Sequence, residues 1–484
     1  MKRALLLSAT LLAASGCDSR RHAGSVITSV ISAPAEQGDA ARGPRSEASR
    51  LLSDATAQGL VRFDASGQIE PGLAERWIVT EDGMSFIFRL RQAQWSDGKP
   101  VTSEEVVAIL RRQIADRSHN TLLPYLSAID EIVERTPEVI EVSLKRPRPD
   151  LLKLFAQPEL AIFRANPPGG SGPMRAAAAN GRWTLTPVID PDAVDDDEPA
   201  KPRPEDHVAL LAEPAARAIL RFAAHDSDLV LGGTFADWPL LSYADVAPAN
   251  IRTDPAAGLF GLAVVDRSDF LSDVANRTAV AEAIDRDALV ATIMPYWRAT
   301  LQIVPEQLDS AASPTMPAWA APPLDQRIAA AKAQVQSWQK AHPGAISLRV
   351  ALPQGPGANL LYGQIGVALL KIGITPLRVG MDDAADLRLV DRVAPYDSAR
   401  WYLVNACQPC ASDAAAAIMA AREAPDMPSR AQAIAAADKA LTADVAFIPI
   451  ARPLRWSLVA QRLDAFQGNS RAWHPLNRLR NDTR

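Results

Sequence analysis

The chain has 484 residues, of which 22% are charged and 48% hydrophobic, and its formal net charge is −5. This length is enough for two or three domains with hydrophobic cores of their own. The weakly acidic balance, without a basic stripe, argues against a nucleic acid as partner, and no apolar run beyond the N-terminal region is long enough for a transmembrane helix.

The N-terminus has the pattern of a bacterial secretory signal. Lys2 and Arg3 precede the apolar run 4–14, which is too short for a permanent transmembrane helix. Small residues then lead directly to Cys17 and resemble a lipobox, whose cysteine is acylated and becomes the new N-terminus. We therefore predict a lipoprotein signal peptide over residues 1–17; the alternative is an ordinary signal peptide in which Cys17 is accidental.

The region after the signal, residues 18–48, is rich in alanine, glycine, serine, proline and charge and has few large apolar side chains. Such a segment buries too little apolar surface to order itself, so we predict a flexible tether. Val26–Ile31 is the exception, because it has strand character and could be the first strand of the fold. Asp18 resembles the inner-membrane retention signal of some Gram-negative lipoproteins, so acylation would anchor the protein to that membrane.

The stretch 71–112 gives the clearest local structure. Ser85–Leu90 is predicted to be a strand, Ser96–Pro100 a tight turn, and Thr102 the N-cap of the helix that follows. A strand, a turn and a capped helix are therefore expected in this order.

The segment Asp228–Pro239 holds a first set of candidate ligand contacts. An apolar strand runs into a Gly-Gly turn and then reaches Phe235, Asp237 and Trp238. Open α/β sheets bind ligands beyond the carboxyl ends of their strands, where this turn would lie, and a cleft needs apolar walls with a few orienting polar groups. The alternative is that Phe235 and Trp238 pack under the loop as a small satellite core.

Residues 346–379 predict a strand, a helix and a second strand. Apolar residues alternate over 346–352, recur at helical spacing over 361–372 and return as a strand at Ile374–Val379. This order implies a parallel strand pair with a right-handed crossover. Asp386–Val390 is a further short strand.

Helices are predicted on both sides of this unit. Asp325 can cap the first helix, in which Trp338 is predicted to be a core residue, and Ser429 can cap the second. The closing segments Phe447–Ile450 and Arg455–Val459 are strand-like.

The segment Val393–Tyr402 supplies a second set of candidate ligand contacts, Tyr396, Asp397 and Trp401. Neighbouring side chains of an extended segment point to opposite faces. Trp401 and Tyr402 therefore cannot both face a cleft if this segment is extended.

Two cysteines remain if Cys17 is acylated. Cys407 and Cys410 form a Cys-Gln-Pro-Cys pair, and in an oxidising compartment we expect a disulfide between them. A redox-active pair is the alternative, but this pair does not open a helix after a strand near the N-terminus of a small βαβ domain.

No catalytic constellation stands out in the sequence. The six histidines are scattered without metal-binding spacing, and the motifs of a nucleophile elbow, a dinucleotide-binding turn and a Walker loop are missing. The acidic run from Asp190 to Glu198 lacks the glycine and ligand spacing of a calcium loop, so a solvated loop is predicted. We therefore predict that the protein is not an enzyme and holds no metal or other cofactor, although triads can assemble from residues distant in sequence.

The block Pro71–Thr102 resembles the signature of the family 5 extracellular solute-binding proteins, which capture oligopeptides, dipeptides, opines or nickel chelates for ABC importers. Val274–Met294 is similar to the helix pair that this family carries just after its crossover into the second lobe, and Asp285 can cap the second of these helices. Gly170–Pro173 resembles the family's Gly-Thr-Gly-Pro-Tyr turn, although Met174 stands where tyrosine is usual.

The resemblance implies an α/β fold of the periplasmic-binding-protein type, with two lobes, a hinge and an extra subdomain inserted in lobe one. Carried over to this sequence, the subdomain comprises residues 61–164 and lobe two comprises residues 269–440. Lobe one then comprises residues 49–60, 165–268 and 441–484, because the family's closing strands cross back to it.

The resemblance also implies the periplasmic component of an ABC importer, which binds peptides or a peptide-like small solute between its lobes and delivers it to the membrane permease. In peptide-binding relatives a Tyr-x-Asp-Pro segment supplies the aspartate that pairs with the ligand's amino terminus, and Tyr396–Ser398 is a shortened form of it without the proline. Asp397 is therefore a candidate amine partner, and a surface aspartate is the alternative. The protein is expected to act as a monomer.

Two other functions are compatible with the sequence. One is a degenerate family member that serves as an envelope scaffold without transport, which the shortened Tyr-Asp segment and Met174 would explain. The other is a periplasmic hydrolase or thiol/disulfide enzyme built around Cys407 and Cys410.

Overall fold

The computed structural model of the protein describes residues 24–188 and 202–480. The strands are β1 (Val26–Ile31), β2 (Val61–Phe63), β3 (Ile69–Pro71), β4 (Ala74–Val79), β5 (Ser85–Leu90), β6 (Ile129–Thr136), β7 (Val139–Leu144), β8 (Phe163–Ala165), β9 (Pro168–Gly170), β10 (Met174–Ala179), β11 (Arg182–Pro187), β12 (Val208–Glu213), β13 (Leu229–Thr234), β14 (Ile251–Thr253), β15 (Gly258–Val264), β16 (Ile346–Ala351), β17 (Ile374–Val379), β18 (Leu387–Val393), β19 (Phe447–Ala451) and β20 (Arg455–Val459). The α-helices are α1 (Glu47–Thr56), α2 (Ser103–Ile114), α3 (Leu151–Phe155), α4 (Ala215–Ala223), α5 (Val274–Ala283), α6 (Arg286–Ile293), α7 (Leu324–Ala341), α8 (Pro356–Lys371), α9 (Ala399–Ala406), α10 (Ser412–Glu423) and α11 (Met427–Asp444).

Several predictions concern residues outside these ranges. They are the signal peptide, the acylated Cys17, the retention residue Asp18 and the acidic run from Asp190 to Glu198. Within the described ranges, no helix has both the length and the apolar character needed to cross a membrane.

The first lobe is built on a seven-stranded mixed sheet in the order β10-β11-β12-β1-β13-β20-β14. β1 lies at its centre and pairs in parallel with β12 and β13. The predicted strand Val26–Ile31 is therefore confirmed. The flexible tether predicted over residues 18–48, with this strand as its exception, is wrong for the segment that follows the strand, because Asp39, Ala40 and Ala48 are buried.

The subdomain is a four-stranded antiparallel sheet in the order β4-β5-β7-β6, and α2 packs against it. The predicted strand Ser85–Leu90 is confirmed as β5, with Phe86 and Phe88 buried. Thr102 accepts a hydrogen bond from the Glu105 N–H at 3.3 Å, so the predicted N-cap of α2 is also confirmed.

The second lobe is built on a five-stranded sheet in the order β17-β16-β18-β15-β19. β16 and β17 are parallel and are joined by α8, whose side chains Leu361 and Ile365 are fully buried, so the predicted strand-helix-strand unit is confirmed. Trp338 of α7 packs edge to face on Phe270, with 5.3 Å between ring centroids, at the border of the core.

Of three helix caps predicted in this lobe, one is confirmed. Asp285 begins α6 and accepts a hydrogen bond from the Ala288 N–H at 3.0 Å. Asp325 lies in the first turn of α7, after Pro323 at the N-cap. Asp426, and not Ser429, caps α11. Both helices begin beside a proline, which is tolerated in the first turn and places the helix start further upstream than expected.

The chain changes lobe at other residues than expected. β15 pairs with β18 and β19 in the second sheet, so the first crossover precedes residue 258 and does not lie near 268. β19 belongs to the second sheet as well, and the chain returns to the first lobe only between β19 and β20. The ranges 165–268 and 441–484 expected for lobe one are corrected accordingly. β15 and β19 are buried along their whole length. This pattern indicates a central strand, but it does not indicate to which sheet the strand belongs.

The two crossovers form a ribbon between the lobes. β14 and β20 pair antiparallel on one side of it, and β15 and β19 pair antiparallel on the other. Between these pairs the Asp254 N–H donates to the Arg455 carbonyl oxygen at 3.0 Å. Each crossover also contains one proline, Pro255 and Pro453. The lobes are therefore connected by two adjacent, hydrogen-bonded segments.

Candidate functional site

A cavity of about 710 Å³ lies between the two lobes. The first lobe contributes the end of β13, the start of β20 and part of α1, and the second lobe contributes the end of β18 and part of α9. Small-molecule sites in proteins have volumes of roughly 300–1,000 Å³, so this cavity has the size of a ligand site. The residues that line it include Arg50, Phe63, Tyr125, Leu231, Thr234, Asp254, Asp391, Arg392, Val393, Trp401, Asn405, Arg455, Trp456, Arg471, Trp473 and His474.

Gly232 and Gly233, predicted to form a turn, lie inside the strand β13, where its pairing with β20 shifts register, and they shape one wall of the cavity. Gly232 has φ +84°, a left-handed conformation that glycine adopts without strain. A Cβ atom on Gly233 would lie 2.3 Å from the ring of Trp456, so glycine allows this ring to lie against the strand. The Trp456 Nε1–H donates to the Thr234 carbonyl oxygen at 2.8 Å, which fixes the indole in the wall.

An ion pair joins the two lobes at the cavity. Arg455 at the start of β20 donates from Nη1 to both carboxylate oxygens of Asp391 on β18, at 2.9 and 3.1 Å. Burial raises the pKa of Asp391, and the charge of Arg455 opposes this shift. Charges in such a water-poor setting interact strongly with any charge that a ligand brings.

A second charged cluster forms another wall. Arg50 of α1 lies 2.8 Å from Glu47 and 2.6 Å from Glu159, and its guanidinium stands over the ring of Trp473, 4.8 Å from the centroid. Burial works against the charged form, but the carboxylates of Glu159 and Glu47 raise the pKa of Arg50 above its ordinary value. Because Arg50 is held by two carboxylates, this cluster mainly fixes the shape of the wall.

The structure places the first set of predicted site residues beside the cavity and not in its lining. Phe235 is 1% exposed and packs edge to face on Phe260, 4.8 Å between centroids, in the second-lobe core. Trp238 packs edge to face on Trp456, with 6.3 Å between the ring centroids. Asp237 is partly buried, which raises the pKa of its carboxyl. The geometry of both aromatic residues agrees with the alternative that they are core residues.

Of the second set, Trp401 lines the cavity. It lies in α9, so the segment is helical there and not extended. The Trp401 ring packs edge to face on Tyr402, with 5.1 Å between the ring centroids. Tyr396 is buried and packs edge to face on Tyr125, with 5.8 Å between centroids.

Asp397, the predicted amine partner, is outside the lining of the cavity. Its carboxylate forms ion pairs with Lys153 of the subdomain and Arg471 of the C-terminal segment. Burial alone would raise the pKa of Asp397, but the hydrogen bonds from these two cations lower it. The carboxylate therefore already has two cationic partners, and both come from outside the second lobe.

Sequence reasoning missed Asp391 and Arg455, the charged pair in the cavity. The available signal was a charged residue inside the apolar strand Leu387–Val393, since a charge in a buried strand needs a partner. No sequence pattern named Arg455 as that partner, because it lies 64 positions away on a strand of the other lobe.

Cys407 and Cys410 form a disulfide directly after α9, with 4.9 Å between their Cα atoms. The expected pairing is therefore present. Both cysteines pack against the main core cluster, which fits a staple that closes one loop.

The cavity is lined by aromatic rings and by charged side chains that include the pair Asp391 and Arg455. Over residues 24–188 and 202–480, no group of three or more histidine, cysteine, aspartate or glutamate side chains is arranged to hold a metal ion. Two α/β lobes, joined by a ribbon and enclosing such a cavity, define the class of two-lobed solute-binding proteins. Residues 68–337, more than half of the chain, match the sequence model of the bacterial extracellular solute-binding proteins, family 5 Middle, and the chain belongs to this family.

Curated relatives match parts of the chain. The probable deoxycholate-binding periplasmic protein YgiS of Escherichia coli K12 is 32% identical over 121 residues, which are 21% of this chain and 23% of the relative. The periplasmic oligopeptide-binding protein OppA of Salmonella typhimurium is 27% identical over 281 residues, 51% of this chain and 50% of the relative. The chain thus spans half or less of the length of these relatives.

Solved structures match almost the whole chain. Haemophilus influenzae OppA, in complex with RPPGFSPFR, has a TM-score of 0.77 at 17% identity and covers 94% of this chain and 98% of its own. At this identity the likeness shows the fold, which is the α/β fold of the periplasmic-binding-protein type that was predicted.

Proposed function

We propose that this protein is the solute-binding component of an ABC importer and captures a peptide or peptide-like small solute in the cavity between its lobes. The observation that carries the proposal is that both lobes line one cavity and meet there through Asp391 and Arg455. A ligand that contacts both lobes stabilises their closed arrangement through its differential affinity for it. The names of the relatives, OppA among them, support peptides as the class of solute.

The charges at the cavity support a ligand with its own charged ends. Asp391 offers a carboxylate to an ammonium group, and Arg455 and Arg392 offer guanidinium groups to a carboxylate. Trp401 and Trp456 supply apolar surface for side chains. We therefore propose Asp391, in place of Asp397, as the partner of a ligand's amino terminus, and we assign no catalytic role to the cavity.

The proposal is tested by ligand-induced closure. Addition of short peptides should lower the radius of gyration in small-angle scattering and raise the melting temperature, because ligand binds the closed native state and not the unfolded chain. Sugars of similar size serve as the control and should change neither quantity. If no peptide in a broad library changes either, capture of peptides is wrong, and the envelope scaffold becomes the better interpretation.

We further propose that the protein is held in the periplasm by acylation of Cys17, at the inner membrane if Asp18 acts as retention signal, and that it works as a monomer with membrane permease subunits. YgiS of Escherichia coli and OppA of Salmonella typhimurium, to which the chain is similar, are periplasmic proteins. Cys17→Ser removes the sulfur that would carry the lipid, so the variant should stay an unprocessed precursor or appear in the soluble periplasmic fraction. Fractionation with detergent extraction measures this. A variant that partitions with membranes as the parent does would contradict the lipid anchor.

A further inference from the structure

A cluster of arginines lies at the seam between the subdomain and the second lobe. Arg146 and Arg148 are in the loop between β7 and α3, and Arg148 is flanked by prolines on both sides, which restrict the backbone that presents it. Arg400 is in the first turn of α9, and Arg430 is in the first turn of α11. Arg146 crosses the seam to Glu423 of α10 at 3.1 Å, so the two sides are in contact.

Two of these arginines are buried with guanidinium nitrogen atoms that lack a partner within the described part of the chain. Arg148 is 7% exposed and Arg400 is 5% exposed. The Nε and Nη2 atoms of Arg148 and the Nε and Nη1 atoms of Arg400 have no hydrogen-bond partner among the described residues. A buried guanidinium that is neither paired nor hydrogen-bonded is costly, and buried charges in proteins normally have a counter-charge. Four guanidinium nitrogen atoms at one seam, which carry six N–H bonds, therefore lack an acceptor.

Two of the neighbouring carboxylates are already engaged. Asp309 accepts hydrogen bonds from Ser398 Oγ, from the Ala399 N–H at the start of α9 and from Arg430 Nη2, each at 2.7 Å. Glu423 is shared between Arg146 and Arg422. A third carboxylate, Asp150, lies two residues after Arg148, and burial raises its pKa to about 7. None of the three forms an ion pair with Arg148 or Arg400 among the described residues.

Positive charges also act on these two arginines. Burial lowers the pKa of Arg148 to about 10, and the charges of Arg430 and Arg400 add to this shift. Burial likewise lowers the pKa of Arg400, to which the charge of Arg430 contributes. Two like charges on opposite sides of a seam oppose its closure unless an anion lies between them.

The geometry points to an oxyanion site at this seam, in which Arg148 and Arg400 together bind a phosphate, sulfate or carboxylate group that bridges the subdomain and the second lobe. The free Nε and Nη2 atoms of Arg148 share one edge of its guanidinium and can donate two parallel hydrogen bonds to the oxygens of such a group. The free Nε and Nη1 atoms of Arg400 lie on different edges, so each donates separately. Arg148 and Arg400 are not among the residues that line the cavity, although Trp401, the neighbour of Arg400, is. The oxyanion can be a free ion or an acidic group carried by a bound solute.

The test is a calorimetric titration of the mature protein with inorganic phosphate and, separately, with sulfate, exchanged for chloride at constant ionic strength. The parent should bind, and Arg148→Gln and Arg400→Gln should each weaken binding by about tenfold or more, since each removes charge-assisted hydrogen bonds. Arg76→Gln is the matched control, because Arg76 is in the same subdomain, loses the same charge and has a side chain that is 67% exposed. It should bind as the parent does.

Melting temperatures in phosphate-free and sulfate-free buffer give a second readout. Each glutamine variant should melt no lower than the parent, because it removes a buried charge without a partner. Phosphate should raise the melting temperature of the parent and of Arg76→Gln but not that of the other two variants. A structural role in which the arginines hold the seam together by themselves would instead lower the melting temperature of both variants without the anion, and this result would overturn the inference.

A third arm separates the two sources of the oxyanion. If the ion is free, phosphate binds the parent without any peptide present. If the group belongs to the solute, glutamate-containing peptides lose affinity in Arg148→Gln while neutral peptides do not. The inference is overturned if phosphate and sulfate do not bind the parent and acidic peptides bind both variants as tightly as the parent. The phosphate titration needs no peptide, so failure of the proposed function is seen separately.

Discussion

Asp391→Asn is expected to weaken the binding of a short peptide with a free amino terminus by about 2–5 kcal/mol, the range for truncating one partner of a buried charge pair. This is at least about 30-fold in Kd. The carboxylate would lose its attraction for the ligand's ammonium group, and Arg455 would lose the two hydrogen bonds at 2.9 and 3.1 Å. The measurement is calorimetric titration of one peptide in free and N-acetylated form.

Acetylation separates the amine contact from a general disturbance of the cavity. The parent should discriminate strongly against the acetylated peptide, and Asp391→Asn should bind the two forms with nearly equal affinity. Asp397→Asn is the matched control, because Asp397 is near in sequence and carries the same charge but binds Lys153 and Arg471. If Asp397→Asn and not Asp391→Asn abolishes the discrimination, the amine partner is Asp397, as the sequence predicted.

Asp444→Asn is expected to lower the free energy of unfolding by about 3–5 kcal/mol, as when one partner of a buried ion pair is removed. The carboxylate accepts from Arg277 Nη2 at 2.8 Å, from Arg267 Nη1 at 3.0 Å and from the Ala411 N–H at 2.8 Å. Arg277 and Asp444 are both buried, so the substitution leaves a buried guanidinium without its counter-charge. Chemical denaturation of the parent and the variant measures the difference.

The pH dependence adds a check on this ion pair. Burial raises the pKa of Asp444, but hydrogen bonds from Arg267 and the Ala411 N–H outweigh it and lower the pKa. A lowered native pKa means that the stabilisation is present above the unfolded value of about 3.9 and is lost as the pH falls through the native value. The difference in free energy of unfolding between the parent and Asp444→Asn should therefore be largest at pH 7 and should decrease in acid.

Asp130→Asn is the control for this prediction. Asp130 lies 3.9 Å from Lys145, and both side chains are more than half exposed. Surface pairs of this kind contribute about 0–1 kcal/mol, so the free energy of unfolding of Asp130→Asn should be close to that of the parent. A loss for Asp444→Asn no larger than that of Asp130→Asn would contradict the role assigned to the buried pair.

The local elements of this fold were predictable because their causes are local. The alternation in Ser85–Leu90, the cap at Thr102 and the strand-helix-strand spacing over 346–379 all depend on neighbours within a few residues. The strand Val26–Ile31 was predictable as well, because its β-branched residues stand out from the polar sequence on both sides. The caps at Asp325 and Ser429 failed because prolines near the helix starts decide where those helices begin.

The positions at which the chain changes lobe could not be predicted, because they depend on the pairing of strands that are distant in sequence. Gly258–Val264 and Phe447–Ala451 are apolar enough for the centre of either sheet, and only their pairing with each other and with β18 assigns them to the second lobe. The site has the same difficulty. Phe235 and Trp238 have the composition of a binding wall, but the packing of their rings on Phe260 and Trp456 removes them from it.

The paired crossovers limit the mechanical freedom of the molecule. A single connecting strand would let the lobes twist and slide relative to each other, whereas two adjacent segments bonded between Asp254 and Arg455 and stiffened by Pro255 and Pro453 resist torsion. The remaining low-cost motion is bending about one axis. Under the proposed function, solute binding would set the angle between the lobes. A membrane partner that contacts both lobes at once would then distinguish a loaded from an empty protein by that angle, without touching the solute.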